Sequence, residues 1–252
     1  MRPCLLDQLL QPDALQAAFQ PVLDLSSSSA PPLYMEGLIR GPVGTNVVRP
    51  DILFDYARRK GSEVEVDRAC IQALLTAAKG LPGVSIGLNI HAVTLATDLE
   101  LLTFLGDLLT EMGIAPNRLV VEIVERGHGW GRSTFLLNLD GLRSIGVRVA
   151  LDDFGTGQAN YRLLLDARPD YLKIDRSFGH GCHDDPRCRA LLESLARLAG
   201  RIGCRVVAEG IEDPADLEAV REAGIDLAQG YLWGTPAPAS AWAGWPTPSS
   251  SS

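Results

Sequence analysis

Two adjacent acids, Asp152 and Asp153, follow an apolar run and precede a loop that contains Gly155 and Gly157. The apolar run includes a β-branched residue and predicts a buried strand. Because neighbouring residues of a strand point to opposite faces, both carboxylates can approach one centre only where the strand breaks into a loop. A solvated Asp-rich turn is the common alternative. We prefer a functional interpretation because other polar residues end other apolar runs in the same manner.

Most of the predicted strands end in a residue that could bind a cation or a phosphate. These residues are Glu36, Asn89, Glu122, Asp152 with Asp153, Lys173, Glu209 and Gln229. Crowding so many acids is costly unless cations neutralise them. Carboxylate and amide oxygens suit Mg²⁺ or Mn²⁺ rather than a metal that prefers thiolates. Lys173, alone among carboxylates, could orient a water molecule or neutralise a phosphate.

The elements that must position these residues alternate between strand and helix. Strands are predicted at residues 20–25, 33–40, 84–89, 119–125, 149–153, 171–174, 205–209 and 227–229. Helices are predicted at residues 12–19, 49–60, 63–79, 98–112, 133–144, 161–165, 189–202 and 215–223. Thr97 and Glu100 have the spacing of a capping box at the start of one helix.

The order of these elements predicts the fold class. A short polar loop joins the first two strands and predicts an antiparallel pair, and the later strand-helix units imply a parallel sheet. Seven or eight such units in about 240 residues favour a closed (β/α)8 barrel over the alternative, a doubly wound open sheet. In such a barrel the carboxyl ends of the strands converge on one mouth, so residues far apart in sequence would meet there.

Composition limits the classes of function. The length of 252 residues predicts one domain, residues 1–238, followed by a Pro/Ser-rich tail, residues 239–252. We expect this tail to be mobile, although Trp242 and Trp245 could pack on the barrel. The formal charge of −8 argues against binding DNA or RNA polymers through bulk positive charge. No apolar run reaches the roughly 18 residues of a membrane span, so no membrane insertion is expected.

Cysteine usage predicts the compartment. The five cysteines are scattered, which makes a disulfide framework improbable and favours a reducing cytoplasm. Cys182 and Cys188 stand beside His180 and His183, which could suggest zinc, but their spacing matches no compact ligand pattern. We interpret this stretch as a polar surface loop.

The motifs, in their order along the chain, resemble those of the EAL domain family of cyclic di-GMP phosphodiesterases. They are Gln20-Pro21, Glu36-Gly37-Leu38-Ile39-Arg40, Asn89, Glu122-Ile123-Val124-Glu125, Asp152-Asp153-Phe154-Gly155-Thr156-Gly157, Lys173-Ile174-Asp175, Ala208-Glu209-Gly210-Ile211-Glu212 and Gln229-Gly230-Tyr231. They extend over nearly the whole chain, and the Asp-Asp-Phe-Gly-Thr-Gly segment is a fairly specific signal by itself.

The resemblance implies a barrel whose first strand is antiparallel to the others, with a two-metal centre that hydrolyses cyclic di-GMP to linear pGpG. It assigns one Mg²⁺ or Mn²⁺ to Glu36, Asn89, Glu122 and Asp152, and the second to Asp153 with Asp152 and Glu209. It makes Lys173 the residue that positions the attacking water. It assigns substrate contacts to Gln20, Arg40 and Asp175, and supporting roles to Gln229, Glu212 and Glu125, the last of which would hold the loop after Asp153.

The sequence departs from the family pattern at several positions. They are Gly37 for alanine, Val124 for threonine, His91 for serine, Gln158-Ala159-Asn160 for Tyr-Ser-Ser and Arg58 for glutamate. None of these removes an expected metal ligand. We interpret His91 as a packing or pocket-rim residue. Arg40 could be an ordinary salt-bridge partner, but its position four residues after Glu36 places both on one strand face and favours a phosphate contact.

Two other functions remain open from the sequence. The chain could be a catalytically silent receptor for cyclic di-GMP, or a scaffold that binds a protein partner and no nucleotide. The resemblance also implies a homodimer, because the family often pairs through the region that corresponds to residues 158–165 and the helix after it.

Overall fold

Eight strands close into a barrel in which each strand pairs with the next along the chain and β8 pairs with β1. The computed structural model describes residues 4–11, 13–26, 31–125, 131–156 and 161–245. The strands are β1 (Gln16–Asp24), β2 (Tyr34–Arg40), β3 (Ile86–His91), β4 (Leu119–Val124), β5 (Arg148–Phe154), β6 (Tyr171–Ile174), β7 (Arg205–Ala208) and β8 (Leu227–Ala228). β1 runs antiparallel to β2 and β8, and the pairs from β2 to β8 are parallel. The predicted barrel with an antiparallel first strand is confirmed.

Helices cover the outside of the barrel. They are α1 (Leu5–Leu9), α2 (Pro50–Lys60), α3 (Glu63–Ala77), α4 (Ala92–Thr97), α5 (Leu101–Met112), α6 (Arg132–Ser144), α7 (Tyr161–Ala167), α8 (Arg176–Gly179), α9 (Pro186–Ile202) and α10 (Pro214–Glu222). Their buried residues and the outward-facing residues of the strands form the main hydrophobic core. Gly61 ends α2 in the left-handed conformation, which agrees with the predicted end of this helix at residue 60. Among the described residues, no helix is both long and apolar enough to cross a membrane.

Two local predictions are wrong. Residues 16–19 belong to β1 rather than to a helix, because pairing with β2, which brings Gln16 opposite Arg40, outweighs local helix propensity. Thr97 caps no helix: it is the last residue of α4, which the sequence analysis missed, and its hydroxyl donates to the Val93 carbonyl at 2.8 Å. Glu100 occupies the N-cap position of α5 without a side-chain capping bond.

The interior of the barrel contains two layers of side chains. Residues two positions apart on a strand share a face, so each polar residue at the mouth stands above a residue two positions away. The upper layer is Gln20, Glu36, Asn89, Glu122, Asp152, Lys173, Glu209 and Gln229. The lower layer is Val22, Tyr34, Gly87, Val120, Ala150, Tyr171, Val207 and Leu227. The polar mouth therefore rests on a largely apolar floor.

The start of the predicted tail packs on the barrel. Trp242 is buried, and its Nε1 donates to the Phe19 carbonyl of β1 at 2.9 Å. The rings of Trp242 and Trp245 lie 5.0 Å apart between centroids. This confirms the expected packing of the two tryptophans. Residues 246–252 lie outside the described residues, and the mobility of the tail stays a prediction.

The Cys/His segment is attached to α10 by a buried carboxylate. Asp216, which is 1% exposed, accepts hydrogen bonds from the Gly181 amide at 2.9 Å and from the His183 amide at 3.1 Å. The His183 Nδ1 lies 2.7 Å from the same carboxylate, and Cys182 is buried. The interpretation as a polar surface loop is therefore wrong for Cys182, because contacts with α10 cover it.

Candidate active site

Lys173 lies at the centre of the barrel mouth, surrounded by carboxylates. Its Nζ is 3.2 Å from Glu36 Oε2, 2.5 Å from Glu122 Oε2, 3.0 Å from Asp152 Oδ1 and 2.9 Å from Glu209 Oε1. Burial by itself lowers the pKa of Lys173, but the surrounding carboxylates outweigh burial and hold that pKa well above its usual value. Lys173 is therefore a fixed positive charge that joins four strands.

One lysine does not neutralise the whole acidic cluster. Burial raises the pKa of Glu122 and that of Glu209 well above the usual range. Burial, and next the charge of Asp152, raise the pKa of Asp153 to about 6. Burial also acts to raise the pKa of Glu36, but the Lys173 charge and hydrogen bonds to the carboxylate hold it below its usual value. Additional cations would let the cluster keep all its carboxylates ionised.

The acids form two groups of a size that could hold a metal ion. Glu36, Glu122 and Asp152 make up one group, and Asp152, Asp153 and Glu209 make up the other. Within each group the ligand atoms lie within 4.8 Å of one another. Asp152 belongs to both groups, so two cations bound there would be neighbours. A set of oxygen ligands fits Mg²⁺ or Mn²⁺, and the residues present therefore fit a two-metal centre.

Asn89 completes the first group. Its Nδ2 donates to Glu36 Oε1 at 3.2 Å and to the Gly37 carbonyl at 3.3 Å. With the amide nitrogen engaged in this way, the amide oxygen is the atom that Asn89 can offer to a cation. The structure thus brings together all six predicted metal ligands.

A backbone distortion explains how two adjacent acids reach one centre. Asp153 has a φ of 52°, in the left-handed region that non-glycine residues seldom adopt. The pairing of β5 with β6 shifts register between Leu151 and Phe154. Such a conformation typically costs about 1–3 kcal/mol and is common at functional sites. The break in the strand that the sequence required is therefore present at Asp153 itself.

Two glutamines connect β1 and β8 to the cluster. The Nε2 of Gln229 donates to Glu36 Oε2 at 2.6 Å and to Gln20 Oε1 at 3.2 Å. The Nε2 of Gln20 donates to the Gly234 carbonyl at 3.0 Å. Gln229 therefore orients a candidate metal ligand, and Gln20 lies in the wall of the mouth.

Other predicted residues lie at the edge of the site. Glu212 lines the cavity and forms an ion pair with Arg176 at 3.5 Å. Asp175 caps α8 by accepting the Ser177 amide at 2.9 Å. Among the described residues that line the two cavities at the mouth, neither Arg40 nor Asp175 appears. Their proposed contact with substrate stays a prediction.

Glu125 follows β4 and is buried. Most of the loop that it was expected to hold, residues 157–160, lies outside the described residues, as does the atypical Gln158-Ala159-Asn160 segment. The supporting role of Glu125 stays a prediction.

A cavity of about 220 Å³ opens above the cluster, and a second of about 150 Å³ adjoins it. Glu36, Leu38, Asp152 and Asp153 line both cavities. The sequence analysis missed Leu38, Arg176 and Tyr231 as cavity-lining residues. The signal was available, because each lies within or directly after a motif that carries a site residue.

Three of the departures from the family pattern, Gly37, His91 and Arg58, have defined local surroundings. A Cβ on Gly37 would lie 2.7 Å from a methyl of Leu74 and 2.9 Å from the Gly87 carbonyl, so this chain has no room for alanine. His91 is buried and pairs through Nδ1 with Asp67 at 2.8 Å. His91 also lines the second cavity, which confirms its interpretation as a packing or pocket-rim residue. Arg58 forms an exposed ion pair with Asp55 at 2.7 Å.

The chain is similar to known proteins over nearly all of its length. A family model described as "EAL domain" matches residues 5–236. The chain is 30% identical over 242 residues to the cyclic di-GMP phosphodiesterase NbdA of Pseudomonas aeruginosa, in an alignment that covers 94% of this chain and 30% of that protein. It is 30% identical over 238 residues to the probable cyclic di-GMP phosphodiesterase PdeN of Escherichia coli, covering 90% of this chain and 44% of that one. The chain thus spans less than half the length of these two relatives.

A solved structure shows the same architecture. Klebsiella pneumoniae BlrP1, in a manganese and cyclic di-GMP complex, matches with a TM-score of 0.76 and 26% identity. The match covers 92% of this chain and 58% of that one.

Proposed function

Because the chain belongs to the EAL domain family, we propose that it is a metal-dependent phosphodiesterase that hydrolyses cyclic di-GMP to linear pGpG. The observation that carries the proposal is the pair of carboxylate groups that share Asp152 around Lys173. The oxygen ligands support Mg²⁺ or Mn²⁺ as the cofactor. The five cysteines are all free, which supports a reducing cytoplasm as the compartment of this protein.

The residues of the site would have different roles in such a reaction. Two divalent cations, when bound, would activate the attacking water and stabilise the negative charge that develops on phosphate and leaving oxygen. The six ligands hold their oxygens in place from five strands. Lys173 keeps Glu36, Glu122, Asp152 and Glu209 together and could orient the water. Gln229 holds Glu36 by a hydrogen bond.

The substrate explains why an acidic protein needs cations at its mouth. Cyclic di-GMP has two phosphodiester charges, and the chain has a formal charge of −8. Local positive charge must therefore outweigh the overall field for the substrate to enter. Gln20, Arg40 and Asp175 are our proposed contacts to the dinucleotide.

Metal addition tests this proposal. We expect chelator-treated protein to gain thermal stability with Mn²⁺ or Mg²⁺, because a ligand that binds only the folded state contributes about 2.7 kcal/mol at a hundred times its Kd. Chromatography should detect pGpG with either metal. Ca²⁺ should bind and support little turnover, because its coordination is larger and looser.

The outcomes separate three functions. Full activity in excess chelator would contradict a metal-dependent enzyme. Tight binding of cyclic di-GMP without pGpG under any divalent metal would identify a receptor. Absence of nucleotide binding would leave the protein-binding scaffold.

A homodimer is the second prediction. Tyr161 and Leu165 of α7 are 63% and 61% exposed, and their spacing of four residues makes them neighbours on one helix face, an apolar pair that a second copy would cover. Sedimentation at tens of micromolar should show a dimer, about the range in which a weak interface of standard size still associates. Leu165→Glu should yield monomers, whereas Leu99→Glu, a change at a leucine that is 76% exposed elsewhere, should not. A parent chain that is monomeric at this concentration and fully active would refute the dimer.

A further inference from the structure

The hydroxyl of Tyr34 lies beneath the acidic cluster and has no hydrogen-bond partner among the described residues. Tyr34 is fully buried in the lower layer of the barrel. Glu122 of the upper layer is also fully buried, and its Oε1 likewise has no hydrogen-bond partner among the described residues. Leaving a buried polar group unsatisfied costs about 1–3 kcal/mol. Two such atoms in one place indicate a missing bridging group.

The two groups meet above Gly87. A Cβ built on Gly87 would collide with Glu122 Oε1 and would lie 2.9 Å from Cε2 of Tyr34, the ring carbon beside the one that carries the hydroxyl. Gly87 is the only member of the lower layer without a side chain. The missing side chain lets the edge of the phenol ring and the carboxylate approach the same point of the backbone.

The second tyrosine of the lower layer provides a contrast. The rings of Tyr171 and Tyr34 lie 5.8 Å apart between centroids. The hydroxyl of Tyr171 accepts a hydrogen bond from Arg148 Nη1 at 2.8 Å. The remaining lower-layer residues, Val22, Val120, Ala150, Val207 and Leu227, have apolar side chains. In the lower layer the Tyr171 hydroxyl is thus bonded to Arg148, whereas Tyr34 lies beside Glu122 at Gly87.

We propose that one buried water molecule bridges the Tyr34 hydroxyl and Oε1 of Glu122, and that Tyr34 is thereby a positioning residue for the metal centre. The hydroxyl donates to the water, and the water donates to Oε1. The bridge complements the ion pair that Lys173 forms with Oε2, so both carboxylate oxygens are fixed. Buried waters of this kind need at least two polar partners, and this site supplies them.

The bridge should influence metal binding. Residues that hold a metal ligand from behind typically change metal affinity by about 10–100-fold when they are replaced. Tyr34→Phe removes only the hydroxyl. We expect it to weaken Mn²⁺ binding about tenfold in calorimetric titration of the chelator-treated chain. Tyr171→Phe, the same chemical change in the same layer, should lower thermal stability and leave Mn²⁺ affinity unchanged. Equal Mn²⁺ affinity in Tyr34→Phe and the parent would overturn the positioning role.

A metal-free measurement tests the water itself. An atomic-resolution crystal structure of the chelator-treated chain should show one water within hydrogen-bond distance of both oxygens, and Tyr34→Phe should lack it. A direct bond between the hydroxyl and Glu122, or no water at all, would overturn the bridge. The inference relies on the metal-binding part of the proposed function, and the two can fail separately. A parent chain that takes up no Mn²⁺ would refute that function, and the crystal structure would still show whether the bridging water is present.

Discussion

Replacing Lys173 by methionine is expected to lower the free energy of unfolding of the metal-free protein by about 3–5 kcal/mol, the usual cost of removing one partner from a buried ion pair. The reason is the fourfold pairing of its ammonium group with carboxylates from β2, β4, β5 and the end of β7. Methionine is of similar length and has no charge, so the acids would face one another without compensation. The loss is larger than that of an exposed ion pair, because the Lys173 ammonium group and its carboxylate partners are largely shielded from solvent.

Thermal and chemical denaturation, each with and without Mn²⁺, measure this effect. Mn²⁺ should restore part of the lost stability, because a divalent cation supplies the positive charge that methionine lacks. Lys79→Met serves as the control, because Lys79 is exposed, and it should unfold like the parent. The central role of Lys173 would be wrong if K173M denatured at the parent's temperature without metal. Hydrolysis of cyclic di-GMP should be lost in K173M even where stability recovers.

The Asp153→Asn variant is expected to lose a hundredfold or more in turnover while it binds cyclic di-GMP with similar affinity. Asn keeps the size of the side chain but removes one negative charge from the second metal group. Loss of a main electrostatic stabiliser commonly costs on the order of 10²-fold or more. The substrate contacts proposed for Gln20 and Arg40 lie elsewhere and should survive.

The conformation of Asp153 makes this variant a fair test. Its φ of 52° lies in the left-handed region, which Asn tolerates better than most residues, so the backbone should keep its shape. Asp140→Asn, the same change at an exposed position on α6, controls for the change in net charge. Calorimetry measures binding, and chromatography measures pGpG. Production of pGpG at the parent rate by D153N would show that Asp153 takes no part in catalysis.

Sequence patterns predicted strands and helices correctly where they agreed with the strand pairing of the folded barrel. The strand at residues 171–174 was predicted at its observed bounds because a short apolar run in a parallel barrel is buried on both faces. The helix predicted at residues 12–19 failed because residues 16–19 pair with β2, and this pairing outweighs local helix propensity. The capping box at Thr97 failed because an unanticipated short helix, α4, occupies the segment before α5.

The sequence by itself determined which residues meet. Alternation along a strand and the common direction of β2 to β8 bring Glu36, Glu122, Asp152 and Glu209 to one mouth, whatever the details of packing. Only the tertiary structure decided how they share charge. The four ion pairs of Lys173, the left-handed turn at Asp153 and the approach of Tyr34 and Glu122 to Gly87 depend on atoms that folding brings within a few ångströms. Electrostatic energy in a buried site depends steeply on such distances and on desolvation, and neither can be derived from residue types and spacing.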